Sequence, residues 1–303
     1  MYRGGDLLET IHGSMPEWLL LLAALVTRLG DVWVVISITV AASWLLTWRR
    51  STGEAGPPQH GATTTAEPPP AVWMVGIVVG GLAVMTALKY SFALPRPELV
   101  VATPSAIPPA LESTYVATVT LGGYGFPSGH ALGATVAYGL LALTVRTGTR
   151  RVRVAVAGVI VLAISLSRVA LAVHYPGDIV AGIAVGGLYL VAMMWLLERS
   201  PFDRVTSAFT LALGFALVAI AISGAAGRSV TYAALAAGAL AVWALGHRRF
   251  RSSQTPRVTY HTGSATVSIG LLAGLTVLDG SVAAVGSAAV IGALAVALAI
   301  ILS

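Results

Sequence analysis

Residues 122–145 read GGYGFPSGHALGATVAYGLLALTV, and the second half of this stretch is an apolar run of nearly membrane-spanning length. A helix needs roughly 20 apolar residues to cross a bilayer. Glycines, a proline, Ser128 and His130 stand at the start of the run, where the helix would begin. The stretch therefore predicts a transmembrane helix with a polar site at one end.

The rest of the chain repeats this apolar pattern. Of its 303 residues, 56% are hydrophobic and 10% are charged, whereas soluble domains carry about 25% charged residues. Long apolar segments predict spans near 31–48, 72–90, 129–146, 152–168, 178–197, 205–223, 230–246, 260–278 and 282–302. We therefore expect an all-α, polytopic transmembrane helix bundle.

The predicted organisation has three regions. Residues 1–30 form an N-terminal region, in which PEWLLLLAALVTR at 16–28 is too short to span and predicts an interfacial or re-entrant helix. Residues 31–200 form a core of five spans, and residues 201–303 add further spans. Residues 51–70 are rich in Pro, Gly and Thr and predict a disordered cytoplasmic linker.

Composition excludes several classes of function. The chain has no cysteine, which excludes disulfides, zinc–thiolate sites and cysteine nucleophiles. The N-terminus lacks the basic segment followed directly by an apolar segment that is typical of a cleavable signal peptide. The net charge of +6 comes with no basic stripe interleaved with aromatic residues, so nucleic-acid binding is not expected. The arginine-rich, almost lysine-free composition favours a GC-rich prokaryotic genome.

The arginines orient the predicted spans. They cluster in alternate short connections, as Arg49, Arg50, Arg146, Arg150, Arg151, Arg153, Arg199, Arg204, Arg248, Arg249, Arg251 and Arg257. Lys and Arg in short loops mark the cytoplasmic side of a membrane. Residues 91–127 and 169–177 should therefore lie on the extracytoplasmic side of the cell membrane.

Three polar clusters fall on this predicted outer side: residues 89–97 (KYSFALPRP), 127–130 (PSGH) and 167–178 (SRVALAVHYPGD). Each has an ordinary explanation when it is taken alone. Lys89 could snorkel to the headgroups, Ser128 could cap a helix, and His130 could be a packed interfacial histidine. Together, however, the clusters place several ionisable groups at neighbouring helix ends, where such groups are costly and usually functional.

The chemistry that suits this set is phosphoryl transfer. Lys89, Arg96 and Arg168 can neutralise phosphate oxygens, and guanidinium groups do so with two parallel hydrogen bonds. Ser128 and the amides of Gly129 and His130 would lie at a helix N-terminus, which favours an anion.

The two histidines complete this chemistry. His130 and His174 can divide the roles of nucleophile and general acid. Asp178 can accept a hydrogen bond from His174, which fixes the tautomer of the ring and raises its basicity.

The three motifs, Lys89-x6-Arg96-Pro97, Pro127-Ser128-Gly129-His130 and Ser167-Arg168-x5-His174-x3-Asp178, resemble the signature of the type 2 phosphatidic acid phosphatase superfamily. This superfamily includes lipid phosphate phosphatases, polyprenyl diphosphate phosphatases and vanadium haloperoxidases. The resemblance covers residues 31–197 and is complete at every signature position.

The resemblance implies a role for each residue. His174 would be the nucleophile that forms a phosphohistidine, Asp178 its orienting partner, and His130 the acid that protonates the leaving group. The phosphate site would comprise Lys89, Arg96, Ser128, Gly129 and Arg168. No metal and no other cofactor is expected.

The chain departs from the family pattern in three places. Membrane members usually have six spans, and the one that precedes the short helix at 16–28 is expected to be missing. The four C-terminal spans are additional. Residues 98–121 are long and fairly apolar, so they either cover the site and gate lipid access or form a plain extracytoplasmic loop.

We therefore expect an integral-membrane lipid phosphatase whose partners are the bilayer and a phospholipid phosphate or polyprenyl (di)phosphate. The alternatives are a lipid phosphotransferase with the same site, a phosphate-lipid transporter and a haloperoxidase, although haloperoxidases are generally soluble. A serine hydrolase is not expected, because the Gly-x-Ser-x-Gly pattern is absent around Ser128. The sequence identifies neither the lipid nor the oligomeric state.

Overall fold

The computed structural model describes residues 3–51, 71–99, 103–105 and 107–250, and within these ranges the chain forms helices and connections but no β-strand. The helices are α1 (Gly5–Gly13), α2 (Glu17–Val26), α3 (Val32–Ser51), α4 (Trp73–Phe92), α5 (Pro109–Val119), α6 (Gly129–Thr144), α7 (Arg150–Ala170), α8 (Pro176–Arg199), α9 (Arg204–Ser223) and α10 (Gly227–Phe250). A 3-10 turn, Thr27–Gly30, follows α2. The predicted all-α architecture is confirmed.

Seven helices coincide with predicted spans, namely α3, α4 and α6 to α10. Five of these, α3, α4, α7, α8 and α9, are long and apolar enough to cross a membrane. α6 has 16 residues, which gives a length of about 24 Å against a hydrocarbon core of ~30 Å. The predicted spans 260–278 and 282–302, and nearly all of the predicted linker 51–70, lie outside the described residues.

The N-terminal region contains two short helices. α2 corresponds to the predicted interfacial helix, whereas α1 was not predicted. Leu8 of α1 is buried against Val169 and Ala172. Trp18 and Leu25 of α2 are exposed. An interfacial helix exposes apolar side chains in this way, because they contact lipid and not water.

Residues 98–121 contain a helix, α5, that the sequence did not predict. Pro109 occupies its first turn, where proline is favoured because its missing N–H has no partner to lose. Tyr115 of α5 is buried against Leu171 and Val173. Prolines and polar residues hide this helix from a hydropathy pattern, and its position depends on packing against residues distant in the chain.

The structure divides into two compact units. The described residues of 1–35, 81–192 and 218–225 form the first unit. Here two glycines of α8 allow a close approach to α6: a Cβ on Gly182 would lie 2.7 Å from the Ser128 carbonyl oxygen, and one on Gly186 would lie 2.9 Å from that of Leu132. This packing holds the beginning of α8 beside the beginning of α6.

The second unit contains the described residues of 36–80, 193–217 and 226–303. Asp203 begins α9, because its Oδ1 accepts hydrogen bonds from the amides of Val205 and Thr206 at 2.9 and 3.0 Å. A Cβ on Gly76 of α4 would lie 3.0 Å from the Cβ of Ala208. None of the predicted site residues lies in this unit, and the predicted regions 1–30, 31–200 and 201–303 stay a prediction.

Candidate functional site

His174 and Asp178 meet where α7 gives way to α8. His174 lies in the connection between these helices and Asp178 lies in the first turn of α8. The His174 Nδ1 is 3.4 Å from the Asp178 Oδ2, a long contact, and both side chains are buried. The same Oδ2 accepts a hydrogen bond from the amide of Tyr175 at 3.1 Å. The carboxylate is thus held by the backbone as well as by the histidine.

The second oxygen of Asp178 binds a residue that the sequence did not identify. Arg3 Nη1 donates to Asp178 Oδ1 at 2.8 Å, and Arg3 Nη2 donates to the carbonyl of Pro95 at 2.6 Å. The Arg3 guanidinium also lies 4.6 Å above the ring of Tyr175. The chain segment before α1 therefore supplies a cation to the partner of His174. Because the two residues are 175 positions apart, no local pattern could reveal the contact.

Arg96 fixes the tautomer of His174. The Nη1 of Arg96 is 3.1 Å from the Nε2 of His174. A guanidinium can only donate, so Nε2 accepts the hydrogen bond and the ring proton is on Nδ1, facing Asp178. Burial, reinforced by the charges of Arg96 and Arg168, holds the pKa of His174 well below its usual value. His174 is therefore neutral at physiological pH, with the lone pair of Nε2 directed towards the cations.

Arg168 is the most deeply buried cation of the site. It lies in the last turn of α7, and only 1% of its surface is exposed. Its Nη1 donates to the hydroxyl of Thr27 at 2.7 Å. Its Nε and Nη2 have no hydrogen-bond partner in the part of the chain that the structure describes. Buried donors without partners are rare, and these two are suited to an anionic ligand.

Lys89 and Arg96 are held by the loop before α6. Lys89 Nζ donates to the Tyr124 carbonyl at 2.7 Å, and Arg96 Nε donates to the Gly122 carbonyl at 3.2 Å. Gly125 approaches the backbone so closely that a Cβ there would lie 2.9 Å from the Pro95 carbonyl oxygen. The glycine-rich segment thus brings its carbonyl groups to the two cations.

The beginning of α6 provides backbone donors. Ser128 is the N-cap, and its Oγ lies 3.4 Å from the amide of Ala131. The Ser128 amide donates to the Asp178 carbonyl at 3.0 Å, which ties α6 to the first turn of α8. The first amides of a helix have no partner within it, and a Cβ on Gly129 would lie 3.6 Å from the Lys89 side chain. An anion here would lie close to the first amides of α6 and to the ammonium group of Lys89.

His130 faces a carboxylate of its own. Its Nε2 is 2.9 Å from Oδ1 of Asp31, and Oδ2 of Asp31 is 3.3 Å from Arg28 Nη1. Burial disfavours the ionised form of Asp31, but the hydrogen bond and charge of His130 and the charge of Arg28 outweigh it and lower the pKa of this carboxyl. Sequence reasoning placed Asp31 at a span boundary and missed it, because its partner lies 99 positions away.

All eight predicted site residues, Lys89, Arg96, Ser128, Gly129, His130, Arg168, His174 and Asp178, lie in the first unit. The structure pairs Arg96 with His174 and His174 with Asp178, and it joins Ser128 to Asp178 through the backbone. Within the described ranges, no three His, Asp or Glu side chains are grouped as ligands for a metal ion. The catalytic roles of these residues stay predictions.

Comparison with known proteins finds one match. The model of the PAP2 superfamily matches residues 70–202, a segment that holds all three signature motifs. The resemblance recognised in the sequence is confirmed over these residues. No curated protein and no solved structure matches the chain.

Proposed function

We propose that this chain, whose residues 70–202 belong to the PAP2 superfamily, is an integral-membrane lipid phosphatase. It would remove the terminal phosphate of a phospholipid phosphate or a polyprenyl (di)phosphate through a phosphohistidine intermediate, without a metal. The match to this superfamily supports phosphatase activity, and five apolar helices support a multi-pass membrane protein.

The observation that carries the proposal is the pairing of a neutral histidine with unused cationic donors. Nε2 of His174 holds a lone pair beside Arg96, and two buried nitrogens of Arg168, Nε and Nη2, have no hydrogen-bond partner in the described structure. A phosphate would satisfy these donors and bring its phosphorus to the lone pair. Simple phosphate binding requires no such nucleophile, which favours catalysis over transport.

The first step would transfer the phosphoryl group to His174. A bond forms between Nε2 and phosphorus while the bond from phosphorus to the lipid oxygen breaks. His130 gives a proton to that oxygen. The proton on Nδ1 of His174 stays beside Asp178, which stabilises the positive charge that develops on the ring. Arg96 and Arg168 offset the charge on the phosphoryl oxygens.

The second step would release phosphate. Water attacks the phosphorus, and the bond from phosphorus to Nε2 breaks. His130, now neutral, takes a proton from the attacking water. Both histidines return to their starting protonation states, so the cycle balances as hydrolysis of one phosphate ester, or of one phosphoanhydride when the substrate is a diphosphate.

The proposed site opens to the extracytoplasmic side of the plasma membrane. Arginines at 146, 150, 151 and 153 flank the connection between α6 and α7, and the positive-inside rule assigns such a loop to the cytoplasm. The catalytic residues stand at the opposite end of α6. A lipid phosphate in the outer leaflet would present its headgroup at that level.

The proposal is tested by phosphate release from a panel of lipids in detergent. Phosphatidic acid, phosphatidylglycerol phosphate and a polyprenyl diphosphate are supplied in the presence of EDTA. We expect at least one to be hydrolysed, and we expect His174→Ala to lose more than about 10³-fold in kcat. Asp178→Asn should lose about 10²–10⁴-fold, because the ring loses its orienting partner.

His60→Ala, from the segment 51–70, is the matched control and should keep full activity. Full turnover in both the His174 and Asp178 variants would contradict the mechanism. Activity that disappears with EDTA would contradict the proposal that the reaction needs no metal. Adding alcohols separates the phosphotransferase alternative, which would yield a phosphorylated alcohol in place of free phosphate.

A further inference from the structure

Asp31 joins three elements of the first unit. It stands between the 3-10 turn and α3, and its Oδ1 lies 2.9 Å from Nε2 of His130 on α6. Its Oδ2 lies 3.3 Å from Nη1 of Arg28, whose Nη2 donates to the hydroxyl of Thr118 at 2.6 Å and to the carbonyl of Thr114 at 3.0 Å. Arg28 thereby anchors the carboxylate to α5.

The His130 ring fits tightly beside Asp31. A Cβ on Gly30 would lie 2.9 Å from Cδ2 of His130 and 2.7 Å from Cγ2 of Ile164. The hydroxyl of Tyr138, further along α6, donates to the carbonyl of Leu29 at 2.9 Å. The 3-10 turn thus contacts α6 at both His130 and Tyr138. The imidazole therefore has little room to rotate away from the carboxylate.

Charges of both signs act on His130. Burial opposes a positive charge on the ring, and so do the charges of Arg168 and Arg96, whereas the hydrogen bond and charge of Asp31 favour it. Asp31 is itself ionised at neutral pH, because His130 and Arg28 stabilise its charge. A bound phosphate dianion would offset the two arginines. The balance would then shift towards Asp31, which favours the imidazolium when the substrate is present.

We propose that Asp31 is a positioning residue for the general acid: it orients the His130 ring through Nε2 and stabilises the imidazolium in the substrate complex. This inference rests on the proposed function and deepens it. With Nε2 engaged by the carboxylate, Nδ1 is the nitrogen that faces the leaving oxygen. His174 and His130 would then each be held by one carboxylate, the first as nucleophile and the second as acid.

The proton balance follows from this geometry. As the bond from phosphorus to the lipid oxygen breaks, the proton on Nδ1 of His130 moves to that oxygen. The ring becomes neutral and keeps the proton on Nε2, which stays hydrogen-bonded to Asp31. In the second half-reaction, Nδ1 takes a proton from the attacking water. Asp31 remains a carboxylate throughout.

Asp31→Asn tests the proposal with two substrates in detergent. Dioctanoyl phosphatidic acid has an alkoxide leaving group that needs a proton, whereas p-nitrophenyl phosphate has one that does not. We expect kcat/KM, which reports the steps up to phosphoryl transfer, to fall about 10²-fold or more for the lipid, in the range of general acid catalysis. For the aryl ester, kcat/KM should fall less than about tenfold, because its leaving group needs no proton and Asp31 does not contact the phosphate.

The pH profile supplies a readout that a purely structural role would not move. Without the carboxylate, the imidazolium of His130 loses its proton at lower pH, so the alkaline limb of kcat for the lipid shifts to lower pH. Asp31→Glu should restore part of the rate and move the alkaline limb back towards its wild-type position. Asp203→Asn, which removes a carboxylate that caps α9 in the second unit, is the matched control and should match wild type.

Equal losses for both substrates, or an unmoved alkaline limb, would overturn the role of Asp31. If Asp31→Asn does not fold, the two substrates are compared in Asp31→Glu and Arg28→Gln instead. If neither variant changes the ratio of the lipid rate to the aryl ester rate, the proposal is overturned. A wild-type protein that hydrolyses neither substrate contradicts the proposed function itself. A wild type that hydrolyses both, with an unaffected Asp31→Asn variant, contradicts this inference alone.

Discussion

At the scale of single residues, His174 and His130 differ in the group that contacts Nε2. His174 is buried beside cations, with Arg96 donating to its Nε2. His130 instead has the carboxylate of Asp31 at its Nε2. A nucleophile must be unprotonated, which the surroundings of His174 favour. An acid must carry a proton, and for His130 the proposed mechanism requires Asp31 to stabilise that proton once a bound phosphate offsets the nearby arginines.

The first prediction concerns the acidic limb of the pH profile. Because burial and nearby cations lower the pKa of His174, it stays neutral below the usual histidine value of about 6.5. The acidic limb of kcat/KM should therefore lie below that pH. Arg96→Gln removes a positive charge, so the pKa of His174 rises and the limb moves to higher pH. Arg199→Gln, at the end of α8, should leave the limb in place.

An acidic limb that stays where it is in Arg96→Gln would show that the charge of Arg96 does not act on His174. The experiment measures initial rates at low substrate concentration across the pH range. Binding losses lower the whole curve without moving the limb, so the two effects of the substitution are separable.

At the scale of elements, the site depends on helix ends held close together. α6 and α8 meet through Gly182 and Gly186, and the 3-10 turn meets α6 and α7 through Gly30. Each contact leaves no room for a methyl group. Helix ends supply unpaired amides and abrupt changes of direction, so side chains from several segments can converge on one ligand.

Gly30→Ala tests this close packing. The new methyl group would lie within 3 Å of both Ile164 and His130, so we expect a loss of about 1–3 kcal/mol in stability together with lower kcat for the lipid substrate. Gly187→Ala, where a Cβ meets no atom within 4 Å, is the matched control. Thermal unfolding and phosphate release are measured on both variants. A Gly30→Ala protein as stable and active as wild type would contradict the packing described here.

The sequence predicted the long helices and the three motifs because both carry local signals. Apolar length marks a span, and Pro, Gly and Ser before an apolar run mark a helix start. Arg3, Asp31 and α5 were missed for the opposite reason. The contacts of Arg3 and Asp31 reach across 175 and 99 positions, and α5 is mixed in polarity. Only tertiary packing places these three beside the motifs.

At the scale of the whole molecule, the proposal depends on which side of the membrane the site faces. The chain has no cysteine, so single cysteines can report each side. Ser113→Cys on α5 should react with a membrane-impermeant maleimide in intact cells. Thr147→Cys, between α6 and α7, should react only after the cells are opened. Both positions are exposed, so burial does not account for a difference.

Labelling of Thr147→Cys but not of Ser113→Cys in intact cells would reverse the proposed orientation. The phosphatase chemistry would then act on the cytoplasmic leaflet. Labelling of both, or of neither, would contradict a single crossing by α6 between the two positions.

The central claim is that His174 carries the phosphoryl group during turnover, and trapping that intermediate tests it most directly. In His130→Ala, an aryl phosphate needs no acid to leave, but water lacks the base that activates it, so the phosphoenzyme should accumulate. The protein is mixed with radiolabelled p-nitrophenyl phosphate, quenched in alkali and digested. We predict an acid-labile label on the peptide that contains His174, and none in His130→Ala combined with His174→Ala. Aryl phosphate hydrolysis that continues without a phosphoprotein, or with the label on another residue, would contradict the account.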